Sequence, residues 1–181
     1  LCAAGLQECC SLSLVAAAPG RIPLANPLLA DYGHLRDNLH EELLQCARRN
    51  LQASRDGFWG FEIGQVFLSG DAAAREVSLL VGVICGEQRS ERWSSSGKPR
   101  PLDYYEARGV LQAALAQLQL PLEDLPGFGD EAEAGLLHPG RTARLQLEGR
   151  PVGWFAQLHP GRSEAVDLPD GTYLFQLQLA P

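Results

Sequence analysis

The sequence predicts an α+β domain, a mainly antiparallel sheet with helices packed against one side. Three observations carry that prediction. Residues 38–54 place apolar side chains at helical spacing and lead through Gly57 directly into 58–68, which alternates like a strand. Residues 76–85 are apolar on both faces, as an internal, covered strand requires. Residues 141–147 and 152–158 flank Glu148-Gly149-Arg150-Pro151 and form the pattern of a hairpin.

In chain order, residues 1–8 are expected to be the end of a helix and 9–15 a strand. Pro19 and Gly20 mark a loop, 22–24 a short strand, and Asn26-Pro27 a break before a helical turn over 28–33. The first long helix starts at Asn38, with Glu41 placed to close a capping box. Its stripe of Leu39, Leu43, Leu44, Cys46, Ala47 and Leu51 covers nearly half the circumference, broad enough to serve two neighbours. In the strand that follows, Trp59, Phe61 and Ile63 fall on one face and Gly60, Glu62, Gly64 and Val66 on the other. That second face is mostly bare backbone, which admits a ligand or a neighbouring element. Residues 76–85 then return antiparallel to it.

Asp103 and Glu106 predict a second capping box, opening a helix with Ala107, Val110, Leu111, Ala114, Leu115 and Leu118 on its apolar side and Pro121 at its end. Residues 122–137, with Pro126, Gly127 and Gly129, read as loop with room for a short strand. After the second hairpin come a helical turn over 163–166 and a last strand over 173–179.

A chain of 181 residues, 45% apolar, suits a single domain spanning 1–181. No apolar run reaches the roughly 18 residues a membrane span needs, so a soluble, cytoplasmic protein without membrane contact is expected. The start at Leu1 and the lack of any methionine suggest a piece excised from a longer chain. Five cysteines without CxxC spacing indicate buried thiols, with no disulfide framework and no metal site. The net charge of -7 opposes strong RNA binding by the domain alone. Against that trend, Arg89, Arg92, Lys98 and Arg100 cluster around Trp93; the segment is either a solvated hairpin tip or an RNA contact.

Among single residues, Glu62 is an acid inside an apolar strand. It needs a local arginine or amide, a partner-chain contact, or a role as general base. His138 and His159 each precede Pro-Gly-Arg and read as turn residues bonding a free carbonyl. Arg141 and Arg162 are candidates to face a partner. Gly127-Phe128-Gly129 lacks the setting of a phosphate loop, and no Gly-x-Ser-x-Gly stretch points to hydrolysis.

The run NPLLADYGHLRDNLHEELLQCARRN followed by FEIGQVF resembles the bacterial-type phenylalanyl-tRNA synthetase beta chain, in its synthetase-like core. AAGLQECCSLSL, LDYYEARGVLQAALAQL, LLHPGRTARLQLEGRPVGWFAQLHP and YLFQLQL continue the resemblance in order over nearly the whole chain. It implies a class II aminoacyl-tRNA synthetase-like sheet without catalytic residues. It also implies an alpha subunit as partner, in a heterotetramer of two alpha and two beta chains, with Leu39, Leu43, Leu44 and Leu51 as interface candidates. The whole enzyme would charge tRNA(Phe) with phenylalanine using ATP and magnesium; this piece would hold no cofactor and lack editing activity.

Catalytic class II relatives grip ATP with an arginine at the end of the strand taken here as 61–67, and with another from a helix after the last strand. Positive charge there meets developing negative charge. By that placement the first arginine is replaced by Leu68. The return strand offers Val77, Ser78, Leu79, Leu80 and Val81, of which only Ser78 has a side-chain hydroxyl to donate. The sheet face is therefore expected to be apolar. Cationic side chains around a nucleotide-sized hollow on that sheet would overturn the noncatalytic reading.

Overall fold

The computed structural model describes residues 1–53, 57–70, 74–87, 100–127 and 135–179. A seven-stranded sheet organises them. Its strands are β1 (Gln7–Glu8), β4 (Gly57–Leu68), β5 (Arg75–Gly86), β6 (Leu122–Pro126), β7 (Leu137–Leu147), β8 (Arg150–Leu158) and β9 (Tyr173–Gln178), in the spatial order β1-β4-β5-β9-β8-β7-β6. Only β1 runs parallel to its neighbour. A small ribbon pairs β2 (Leu14–Val15) with β3 (His34–Leu35). The helices are α1 (His40–Ala53), α2 (Tyr104–Ala116) and α3 (Pro160–Ala165). None is long and apolar enough to cross a membrane.

Helices lie on both faces of the sheet, which corrects the expectation of one. Alternation along each strand divides its side chains between two cores. Phe58, Val66, Leu79, Val81, Val83, Trp154, Ala156 and Leu174 pack with Leu39, Leu43, Leu44 and Ala47 at α1. Trp59, Phe61, Leu80, Ile84, Phe155 and Phe175 pack with Ala107, Leu111 and Leu115 of α2. The two-faced apolar pattern of β5 follows, because this strand lies between β4 and β9 under both helices.

The breadth of the α1 stripe has the same explanation. Leu39, Leu43 and Leu44 are at most 1% exposed and belong to this chain's own core, while Cys46 and Leu51 are half-buried. The stripe reaches β5 as well as β4, so two strands of this chain's own sheet account for its width.

Asn38 Oδ1 accepts from the Glu41 amide at 3.1 Å, as a cap should. The Glu41 carboxylate does not close the box, because Arg21 Nη2 donates to it at 2.5 Å. In α2 both halves of the Asp103–Glu106 box form, and Ala107, Leu111, Ala114 and Leu115 are buried as expected. That helix ends at Ala116, before Pro121, with Gln119 at a φ of 55° and Leu118 exposed.

The N-terminus is a 3-10 turn over Cys2–Ala4, closed by Gly5, and the short β1, where a helix end was expected. The strand expected over 9–15 shrinks to Leu14–Val15, since the Ser11 amide and hydroxyl are both drawn to Glu62. The second hairpin turns at Glu148-Gly149, whose φ values of 52° and 74° fit a two-residue turn of the primed kind.

The two HPGR segments diverge. His138 to Arg141 lies within β7 at a register shift, while His159 caps α3 with Pro160 at its first turn. In both, the expected donation to a carbonyl is reversed. The imidazole Nδ1 accepts from the glycine amide two residues on, at 3.1 Å for His138 and 3.2 Å for His159. Proline removes one amide donor and directs the next back at the ring.

Candidate functional site

Glu62 is 2% exposed on the α1 face of β4. Its Oε1 accepts from Arg36 Nη1 at 2.7 Å, and its Oε2 accepts from the Ser11 hydroxyl at 2.7 Å and the Ser11 amide at 3.3 Å. Arg36 in turn donates from Nε to the Gln65 carbonyl at 2.8 Å. The bare backbone of β4 is what lets this arginine in. A Cβ on Gly64 would stand 2.5 Å from Arg36 Nη2. The near element is therefore the 36–38 segment, and Glu62 has both the arginine and the amide expected of a structural acid.

Beside it lies Cys9, and burial first, then Cys46, Glu62 and Glu8, push its thiol up to about 12. At neutral pH it is a thiol, poor as nucleophile or metal ligand. Among the described residues, no group of three or more His, Cys, Asp or Glu side chains is placed to hold a metal ion.

A hollow of about 700 Å³ opens on the same face, between the start of α1, the free end of the β4–β5 hairpin and β9. The register explains its floor. Val66 faces Val77, Leu68 faces Arg75, and Leu79 faces Gln178, all with the same sense of alternation. Asp37, Asn38 and His40 line it from the α1 side, and Arg162 from α3. Ser78, the one side-chain donor of that stretch, is opposite Gln65 on the other face; its carbonyl accepts from the Leu179 amide.

Leu68 does stand at the end of the outgoing strand. The face is nevertheless not without cations, as it was expected to be. Arg75 comes to the hollow from the return strand and Arg162 from the second HPGR segment, neither from a position the resemblance had marked for a cation. Sequence reading placed Arg162 only as a partner contact. Its proximity to β4 depends on α3 folding back over α1, which no local spacing reveals. His40 was not singled out either. Burial pulls its imidazole down to about 4, outweighing Glu41 and Asp37, which raise it, with a smaller lowering from Arg162 and Arg21, so the ring is neutral at pH 7. Its Nδ1 is buried with no partner among the described residues.

The remaining candidates do not join this hollow. Arg141 is exposed on β7, where its Nη1 donates to Gln157 Oε1 at 2.6 Å. Arg100 is exposed and ion-paired with Glu106. Arg89, Arg92, Trp93 and Lys98 lie outside the described residues, as does Phe128-Gly129.

Comparison with known proteins adds independent findings. The family model described as "Phenylalanyl tRNA synthetase beta chain CLM domain" matches residues 1–179. A phenylalanine–tRNA ligase beta subunit of Synechococcus sp. (strain CC9605) is 52% identical over 99% of this chain and 22% of its own length. One from Trichormus variabilis is 38% identical over 98% of this chain and 22% of its own length. The chain thus spans about a fifth of the curated relatives it matches. In structure it is similar to the Desulfitobacterium hafniense PylSc, a pyrrolysyl tRNA synthetase, with a TM-score of 0.61 at 16% identity over 97% of this chain and 58% of that one. That likeness is one of fold, an α+β sheet of the class II synthetase type flanked by helices.

Proposed function

The chain belongs to the phenylalanyl-tRNA synthetase beta chain family, and from that premise we propose that it is the noncatalytic, synthetase-like core of a beta subunit that assembles with a catalytic alpha subunit. One domain spans 1–181 in this reading. The whole enzyme, two alpha and two beta chains in the cytoplasm, joins phenylalanine to tRNA(Phe) with ATP and magnesium; this core supplies none of the reacting groups.

The observation that carries the reading is the end of β4. Leu68 is half-buried there, and by the placement that the resemblance implies, catalytic relatives carry at this position a guanidinium aimed at the alpha phosphate. Without that preorganised charge the step loses its main electrostatic stabilisation. Of the interface candidates, Leu51, Arg141 and Arg162 retain surface for a partner.

The test mixes the full-length polypeptide carrying this chain with the catalytic alpha subunit and reads association by sedimentation. A stable complex that charges tRNA(Phe), weakened by Leu51→Asp with Arg141→Glu, is expected. Failure to associate overturns the reading. Arg75 and Arg162 favour one second reading, that the domain itself activates an amino acid. Pyrophosphate exchange by the beta polypeptide alone, dependent on phenylalanine, would establish it; its absence is expected.

A further inference from the structure

We infer that the hollow between Arg75 and Arg162 binds a small organic anion, a carboxylate or phosphate carried on an apolar or planar body. Arg21, Arg36 and Arg108 have side chains no more than 9% exposed, and each is paired, with Asp37 and Glu41, with Glu62, and with Asp124. Arg162 is half-buried and Arg75 faces the same hollow, yet neither has a carboxylate within ion-pair distance among the described residues. Arg75 is exposed and Arg162 half-buried, so two guanidiniums without a carboxylate partner among the described residues line one hollow and can offer charge-assisted hydrogen bonds to an arriving anion.

The acid in the lining does not neutralise them. Asp37 Oδ1 already accepts from Arg21 Nε at 2.9 Å and from Asn38 Nδ2 at 3.0 Å. His40 brings no further positive charge, because burial holds its ring neutral. The site is cationic inside a chain of net charge -7, so the sign is local and not a property of the whole surface.

Below the arginines the floor is apolar. Val66, Leu68, Val77 and Leu79 would cover the body of a ligand whose acidic end reaches the rim. The volume, about 700 Å³, lies within the span of roughly 300–1,000 Å³ usual for small-molecule sites. An inorganic ion would leave that floor unused. The inference is independent of catalysis, since binding needs charge and space but no activated phosphate.

The experiment uses the full-length polypeptide that carries this chain, without the catalytic subunit and without metal, titrated calorimetrically with adenosine monophosphate, 3-phenylpropionate and inorganic phosphate. At least one organic anion is expected to bind saturably and at least ~10-fold more tightly than phosphate, because only the organic probes use the apolar floor. Which probe wins distinguishes a phosphate from a carboxylate source. Arg162→Gln should weaken that binding by ~10-fold and Arg75→Gln by less, while Arg150→Gln, on the remote hairpin turn, should leave it unchanged. Arg162→Lys keeps the charge and should retain part of the affinity, which guards against a fold defect in the glutamine variant. No saturable binding of either organic probe at about 10 mM, or binding indifferent to the Arg75→Gln/Arg162→Gln pair, overturns the proposal.

Discussion

Glu62 shows how a residue that looks reactive in sequence is settled by its surroundings. Its two oxygens receive an arginine, a hydroxyl and an amide. Replacing Glu62 with Gln leaves the Arg36 guanidinium buried and unneutralised, and should lower stability by about 3 kcal/mol, read as a fall in the denaturant midpoint at constant slope. Gly64→Ala attacks the same contact from the backbone side. Because Arg36 is held at several atoms, it cannot swing away freely, and a loss of about 1–3 kcal/mol is expected in the same measurement.

His40 supplies a pH dependence of definite sign. Its folded-state affinity for protons is depressed, from the usual 6.5 to about 4, by burial, which outweighs the opposing Glu41 and Asp37, with a smaller lowering from Arg162 and Arg21. Between those values the unfolded chain takes up a proton that the folded chain refuses. Stability is therefore lost as pH falls from about 6.5 toward 4 and is not lost further below that. Comparing His40→Asn with the parent across this window cancels the carboxylates. The parent should lose on the order of 2 kcal/mol more than the variant, allowing for the ring's partial exposure.

At the level of elements, local signals succeeded where a single short-range interaction decides the outcome. Asp103 and Glu106 predict the start of α2 because both bonds of the box are three residues apart and nothing distant competes. Asp103→Ala should cost about 1 kcal/mol, with hydrogen exchange increasing first at the amides of residues 104–107. The same pattern at α1 half failed, since Arg21, remote in sequence, claimed Glu41. The hairpins were legible from alternation and turn residues, and the acid–arginine pairing from the rule that buried charge needs a partner. The hollow was not legible, because it is made by the end of β4–β5, the start of α1 and α3, which no spacing relates. The α1 stripe carries the clearest lesson for mutagenesis: Leu43→Asp places a charge in this chain's core, so it should unfold the domain before it tests any interface, seen as loss of a cooperative melt.

For the molecule as a whole, the arrangement of two cores on one sheet decides how it unfolds. Residues of β5, β8 and β9 contribute alternately to both, so neither core can open without freeing strands that the other needs. A single transition is expected, and the chain carries its own reporters. Trp154 lies in the α1 core and Trp59 in the α2 core. With Trp93 replaced by Phe, removing one or the other leaves a single fluorophore on each side, and both should give the same denaturant midpoint once corrected for the substitution itself. Leu44→Ala and Leu111→Ala, each fully packed on opposite faces, should each destabilise by about 2–5 kcal/mol. The tryptophan on the far side should report each loss in full. If Leu44→Ala moved Trp154 and left Trp59 in place, the two layers would be separate units, and the covered sheet between them would not be the common structural element that the topology makes it.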